Sequence, residues 1–546
     1  MTKRDRVLWL LAITATAGAL YLSGLTVWSV WVTRSQVPWR DQWTYLEDAR
    51  EILAHHWGRL WYSYWGHRPV IVRLVTLANV RFFSGLNSPV VGIIFAEQAA
   101  TAVLLVYAAW RLFGRLSKPV FVIVAALIVD LCFWSLQLEN LVWAGQIGYI
   151  LVWTSAAGAF FLLARSTGVA LALGIVSTLC TPGGLFVWPV LIVEAWILRL
   201  NARVRTLMVL TGVVVVGLYL YHYQKGPPMG MGGLQSLLHP EKSIPILGML
   251  LAGPVTAASI PAAMFLGCMA LIVALYALVK MVRCQPPAMV TACGALTLFA
   301  LFTIFSLVGG RVGPELVEPR IQLHQLVIPS RYYTIIGLFW APLILVSVWL
   351  VTRNRREWPQ LAVAGSMAIG LTLGTASWQI GEAANWRGYF HEVDVAGSAL
   401  IMHVDDPGNR SLAEIYPDVA MRSRISAWLE KDHLALFAER RAHLLGLHVV
   451  NVDENACQGA AQSVVPVGGG AFRITGWAVP PRDLVFANAS STIVGIARSG
   501  LRRPDLAGRP DTVGWQGYAK GSGPIRVYGV LDDSGHYCRA GEFVLP

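Results

Sequence analysis

Val7-Leu8-Trp9-Leu10-Leu11-Ala12-Ile13-Thr14-Ala15-Thr16-Ala17-Gly18-Ala19-Leu20-Tyr21-Leu22-Ser23-Gly24-Leu25-Thr26-Val27-Trp28-Ser29-Val30-Trp31 contains no charged side chain. A helix needs roughly 20 apolar residues to cross ~30 Å of hydrocarbon, and this run supplies them. Val120–Ser135, interrupted only by Asp130, and Tyr333–Val351 are further long apolar blocks. Across all 546 residues 55% are hydrophobic and 14% charged, against about 25% charged in a soluble domain. An ordinary soluble enzyme is excluded, and a polytopic membrane protein is expected. The formal net charge of +12 does not point to nucleic acid, because the cations sit in short clusters between apolar blocks. Met1–Arg6 followed by the long run imitates a signal peptide. The run exceeds a usual h-region and has no convincing small-residue cleavage site, so it reads as a retained first span.

Cationic loops mark the cytoplasmic side: Lys3/Arg4/Arg6, Arg111/Arg115/Lys118, Arg165, Arg199/Arg203/Arg205, Lys280/Arg283 and Arg353/Arg355/Arg356. About eleven spans satisfy that parity. The N-terminus is then cytoplasmic, and a first loop over 33–88 and everything after about 380 are external. Pro69–Phe83 is short and carries Arg73, Asn79 and Arg81, which suits an interfacial helix rather than a span. Asp41–Trp57 reads as a second amphipathic interfacial helix with Trp43, Leu46, Leu53 and Trp57 on its apolar face. Trp57, Trp61, Tyr62, Tyr64 and Trp65 fit an aromatic belt.

The expected architecture is an all-α polytopic membrane domain over 1–380, an external mainly helical connector over 381–456 and a small external β-sandwich over 457–546. Ala420–Glu439 supplies the helical pattern of the connector. Short alternating runs separated by Gly, Pro and Asp supply the strands. Cys457 and Cys538 bracket the sandwich on an oxidising side of the membrane and are expected to form a disulfide. Cys132, Cys180, Cys268, Cys284 and Cys293 lie in or beside spans, and no zinc spacing occurs.

Pro38-Trp39-Arg40-Asp41-Gln42-Trp43 puts a carboxylate just beyond the outer end of the first span. An acid there, two interfacial helices before the second span, about eleven spans and a soluble C-terminal module resemble the GT-C superfamily of glycosyltransferases. In plan the chain is most similar to bacterial aminoarabinose and arabinofuranosyl transferases and protein O-mannosyltransferases. Those families often carry paired acids in this loop. Here Asp41 is followed by Gln42, and the next acids are Glu47 and Asp48, so no cofactor is expected and a divalent metal is not indicated.

The resemblance implies transfer of a sugar, arabinofuranose among the candidates, from a polyprenyl-phosphate donor. The acceptor would be a polysaccharide, lipid or protein outside a bacterial inner membrane. A phosphate leaving group needs no general acid, so one carboxylate suffices, unlike the pair in glycosidases. Asp41 would be the base; the alternative is that it caps the following helix. Arg331, in Pro329-Ser330-Arg331-Tyr332-Tyr333, is the first candidate for a donor-phosphate clamp. Arg320, Lys225, His67 and Arg68 are further phosphate candidates. Asp48, Glu139 and His324 are candidate sugar contacts. Asp130, Glu97 and Glu194 lie inside apolar blocks and would mark an ion path in a transporter or flippase of lipid-linked saccharides. Trp477 and Trp515 could present flat faces to sugar rings in a carbohydrate-binding module, or belong to the core. A non-catalytic scaffold that recruits wall polymer through that module is a further alternative.

Overall fold

The computed structural model describes residues 3–64, 66–114, 117–224, 238–253, 259–311, 329–352, 365–367, 369–370, 372–479, 483–501, 513–532 and 535–546. Among them the helices run α1 Lys3–Thr33, α2 Gln42–Leu53, α3 Val70–Phe83, α4 Asn87–Phe113, α5 Lys118–Phe133, α6 Leu138–Val142, α7 Ile147–Leu163, α8 Thr167–Cys180, α9 Val187–Ile197 and α10 Ala202–Leu220. There follow α11 Pro240–Ala252, α12 Ile260–Cys284, α13 Ala288–Arg311, α14 Tyr333–Thr352, α15 Ala376–Ile401, α16 Arg410–Ile415 and α17 Val419–Lys431.

Among the described residues, eight helical segments are long and apolar enough to cross a membrane, fewer than the eleven expected from charge parity. The two missing in the middle are Thr167–Cys180 and Pro182–Ile197, which are apolar but shorter. At 1.5 Å per residue, α8 with its 14 residues reaches only about 21 Å. The expected eleventh span lies partly outside the described residues. Pro69–Phe83, expected to be an interfacial helix, forms α3, a 14-residue helix that buries Arg73 and Asn79. α2 is amphipathic, but its buried face carries Trp43, Leu46, Ala49 and Ile52, while Leu53 and Trp57 are exposed. Outward-facing Leu10, Ile13, Val213 and Phe265 leave apolar surface around the bundle, as hydrocarbon contact requires.

The C-terminal strands are β1 Val452–Asp453, β2 Gln458–Gly468, β3 Ala471–Val479, β4 Asp483–Ala487, β5 Ile493–Leu501, β6 Val513–Lys520, β7 Gly523–Val530 and β8 Tyr537–Leu545. They form one sheet in the order β1-β8-β7-β4-β5-β6-β3-β2, parallel only at β1–β8. The two-sheet sandwich is therefore corrected to a single sheet curled into a half-barrel. Its ends approach each other: a Cβ at Gly459 in β2 would lie 2.7 Å from the Ala540 carbonyl oxygen in β8. Cys457 and Cys538 join the same ends through a disulfide with Cα atoms 5.5 Å apart.

The concave face encloses Ile474, Leu484, Phe486, Trp515 and Val527. The other face packs on α15 and the connector through Val485, Ile493, Ile496, Tyr518 and Tyr528. Both faces of the sheet therefore carry buried side chains. Trp515 is 1% exposed and lies opposite Gly476, where a Cβ would come within 2.3 Å of the indole. It is core and offers no face to a sugar; Trp477 is half-buried.

Candidate functional site

The strap between α1 and α2 is built to hold a corner. Trp39 and Trp43 are buried at 1% and 0% exposure. The Trp39 Nε1–H donates to the Tyr389 hydroxyl on α15 at 3.0 Å, and the Trp43 Nε1–H donates to the Pro38 carbonyl at 2.9 Å. Asn87, at the start of α4, donates to the carbonyls of Ser35 and Val37 at 2.9 and 3.2 Å. Arg40 occupies the left-handed region with φ 48°, a conformation that costs a non-glycine residue about 1–2 kcal/mol. Its backbone N–H is held by the Ile415 carbonyl at 2.7 Å. The connector thus clamps the turn that presents Asp41.

Asp41 stands at the N-cap of α2, yet its carboxylate makes no side-chain capping bond. The side chain is exposed, and the Tyr64 hydroxyl donates to Oδ1 at 3.2 Å. Burial and the nearby Asp41 charge both hold the Tyr64 phenol above its ordinary range, so it stays a proton donor. Thr44 Oγ1 lies 3.4 Å from the Tyr64 hydroxyl and 3.3 Å from that of Tyr416. A carboxylate surrounded by hydroxyl groups and open to solvent can accept a proton from an incoming alcohol.

On the neighbouring side Glu139 is 3% exposed. Its Oε1 accepts from Arg331 Nη1 at 3.0 Å, and its Oε2 accepts from the Arg331 backbone N–H at 3.1 Å. Arg40 Nη1 lies 3.9 Å from the same Oε1. Two guanidiniums therefore flank one buried carboxylate, and one of them, Arg40, directly precedes Asp41 in the chain. The short segment over 135–146 positions Glu139: Asn140 donates to the Arg331 carbonyl at 2.8 Å and to Thr334 Oγ1 at 2.7 Å. Ser330 Oγ donates to the Leu136 carbonyl at 2.6 Å. Tyr149, near the start of α7, is half-buried and close enough to Tyr45 and Arg331 to influence both electrostatically.

The other sequence candidates separate clearly. His67 closes a tight turn whose backbone pairs with Tyr64 at 2.8 and 2.9 Å, with its ring 5.9 Å from the Tyr64 ring; it stands beside the Asp41 side of the site. Arg68 is 2% exposed and donates to the carbonyls of Trp61 and Tyr221, so it fastens the first loop to the end of α10 instead of facing a ligand. Asp48 is neither a sugar contact nor a solvated face in this geometry. It is 2% exposed and accepts from Arg73 Nε at 2.7 Å. Burial pushes its carboxyl up while Arg73 opposes that shift. Arg73 also holds the carbonyls of Leu60 and Tyr62 at 3.2 and 2.6 Å, fixing the segment that carries Tyr64. Glu47 pairs with Arg424 of α17. Lys225, Arg320 and His324 lie outside the described residues.

Glu97, Asp130 and Glu194 sit on α4, α5 and α9, and Asp130 borders a cavity of only about 10 Å³. Among the described residues no group of His, Cys, Asp and Glu side chains is arranged to hold a metal ion. A larger cavity of about 280 Å³ lies at the junction with the C-terminal domain and not at the Asp41 site.

Sequence reasoning missed Arg40, Tyr64 and Tyr149. Adjacency to Asp41 could have drawn attention to Arg40, whereas Tyr64 was absorbed into the aromatic belt and Tyr149 into a span. The class defined by these observations is a mostly helical protein with, among the described residues, eight potential membrane spans and a C-terminal β half-barrel. No family model, curated protein or solved structure matches the chain.

Proposed function

We propose that this chain is a membrane-embedded inverting glycosyltransferase of GT-C type, using a polyprenyl-phosphate sugar as donor. One observation carries the reading: an exposed carboxylate, Asp41, oriented by a tyrosine hydroxyl and standing beside a cluster of two arginines and one buried acid. Asp41 takes the proton of an acceptor hydroxyl as that oxygen attacks the anomeric carbon. The bond from that carbon to the phosphate oxygen breaks, and the polyprenyl phosphate leaves with the electron pair. Attack opposite the leaving group inverts the anomeric configuration. Arg331 and Arg40 counter the charge on the departing phosphate, and Glu139 holds Arg331 in place.

In this reading the reaction takes place at the outer face of a bacterial inner membrane, with the N-terminus cytoplasmic and the half-barrel external. The acceptor is a polysaccharide, lipid or protein.

The test is purified full-length protein incubated with a panel of polyprenyl-phosphate sugars. Loss of sugar from one donor is expected, and Asp41→Asn should reduce transfer by more than a thousandfold while donor-lipid binding stays within about threefold. Full transfer by that variant removes Asp41 from the mechanism. No turnover of any donor, together with gradient-driven movement of a lipid-linked saccharide, would favour transport.

A further inference from the structure

The contact between Tyr64 and Asp41 is the last link of a longer chain of hydroxyl groups. The Tyr64 hydroxyl donates to Asp41 Oδ1 at 3.2 Å, Thr44 Oγ1 donates to the Tyr64 hydroxyl at 3.4 Å, and Thr44 Oγ1 lies 3.3 Å from the Tyr416 hydroxyl. Asp41, Thr44 and Tyr64 belong to the strap, to α2 and to the first loop. Tyr416 comes from the connector, directly after α16.

Counting protons fixes the direction of every link. An ionised carboxylate only accepts, and a hydroxyl group has a single proton to donate. Tyr64 gives its proton to Asp41, so towards Thr44 its oxygen can only accept. Thr44 thereby commits its own proton to Tyr64, which leaves Tyr416 as the donor to Thr44. A hydroxyl that accepts a hydrogen bond becomes a stronger donor, so polarisation runs from Tyr416 through Thr44 and Tyr64 to the carboxylate. The links are longer than the ~2.7–2.8 Å of most O–H···O bonds, as is common in catalytic sites before substrate binds.

The connector holds Tyr416 in place. The buried guanidinium of Arg422 donates to the carbonyls of Tyr416 and Leu412 at 3.1 and 2.9 Å. The preceding carbonyl, that of Ile415, holds the Arg40 N–H at 2.7 Å. The Tyr416 ring stands beside that of buried Trp43, with centroids 6.4 Å apart. Packing of this kind needs the ring alone. The hydroxyl is engaged by Thr44, its one hydrogen-bond partner among the described residues.

We infer that Tyr416 is a positioning residue for the base: through Thr44 and Tyr64 it orients the Asp41 carboxylate, and so brings the connector into the chemical step. The inference rests on the reading of Asp41 as the base of a sugar transfer. It assigns Tyr416 no part in holding the donor phosphate, because the chain ends on Asp41 and includes neither Arg331 nor Glu139.

Two measurements on the full chain test it. In the donor-sugar assay Tyr416→Phe removes one hydroxyl and keeps the ring. It should lower kcat roughly three- to tenfold with KM for the donor within about twofold, a smaller loss than that of Tyr64→Phe because the missing link is further from the carboxylate. Tyr64→Phe/Tyr416→Phe should be no slower than Tyr64→Phe alone, since Tyr416 acts through Tyr64. Multiplied losses in the double variant, an unchanged kcat in Tyr416→Phe, or a loss confined to KM overturn the inference. Should Tyr416→Phe fail to fold, as judged by thermal unfolding, Thr44→Val removes the middle link and takes its place in the same cycle.

The second measurement needs no sugar donor. A fluorotyrosine at position 64 reports the hydrogen bonding of its own hydroxyl by fluorine NMR. Tyr416→Phe and Thr44→Val should each move that resonance, and the double variant should match Thr44→Val alone. Additive shifts, or a resonance that Tyr416→Phe leaves in place, overturn the inference. A wild type that turns over no donor defeats the glycosyltransferase reading whichever way the resonance moves; the coupled fluorine response then still supports Tyr416 as the residue that orients Asp41, and its absence overturns that role.

Discussion

Asp394 on α15 is the point at which three parts of the chain are tied together, so Asp394→Asn tests the architecture directly. Its side chain is 2% exposed and accepts from Ser35 Oγ at 3.0 Å, Arg441 Nη2 at 3.1 Å and Arg498 Nε at 2.6 Å. Those partners belong to the strap after α1, the connector and strand β5. The asparagine keeps one carbonyl oxygen, enough for one guanidinium, and leaves the other facing a neutral amide in a dry site. Breaking one side of a buried ion pair costs about 3–5 kcal/mol, and the retained acceptor places the expected loss near the lower end, about 3 kcal/mol. At about 1.4 kcal/mol per factor of ten, the contact between α15 and the half-barrel should open roughly a hundredfold more often. A global melting curve suits a chain of several parts poorly, so the assay is native-state hydrogen exchange of amides in 393–401 and 493–499. Exchange there within about threefold of wild type would refute the idea that this network fastens the half-barrel. Replacing the network by apolar residues, as in Asp394→Leu/Arg441→Met/Arg498→Met, should recover much of the protection, because no charge then remains buried without a partner.

Three further outcomes are expected. Tyr64→Phe removes a hydrogen bond to an ionised carboxylate, worth about 1.5–3 kcal/mol, and should slow transfer by roughly ten- to hundredfold with unchanged thermal unfolding; an unchanged rate would show that Tyr64 does not orient Asp41. Glu139→Gln should destabilise the region around Arg331 by about 3–5 kcal/mol and weaken donor binding, as judged by ligand-dependent melting; an unaltered melting temperature would mean that the Arg331–Glu139 pair contributes little. Reducing the Cys457–Cys538 disulfide, whose cysteines are 81 residues apart, should cost the half-barrel about 4 kcal/mol. That loss can be followed by native-state hydrogen exchange of amides in 513–520.

Much of the plan was legible along the chain because hydropathy is a local property. A run such as Val7–Trp31 signals a potential span whatever lies beside it, and Arg73 and Asn79 within α3 mark that helix as too polar and too short to cross. The limits of that method appear at α8 and α9, where apolar composition suggested full spans but helix length is insufficient. They appear again in the half-barrel, where alternating runs located strands but carried no record of which strands pair, and one curled sheet was read as two. The disulfide was legible for a different reason: two cysteines bracketing a β-domain have few other partners.

Asp41, Arg331 and Glu139 stood out in the sequence singly, but not the pairing of Glu139 with Arg331 and Arg40. Arg40 and Arg331 converge on Glu139 only because three segments, at roughly 40, 139 and 331, are packed at one end of the helical bundle. Asp48 and Arg68 looked equally available as isolated letters, yet packing engages them with Arg73 and with backbone carbonyls. Composition and periodicity report how a residue partitions between water and an apolar phase. Which charges meet, and which remain open to a ligand, depends on distances between residues far apart in the chain, and those are set by helix packing.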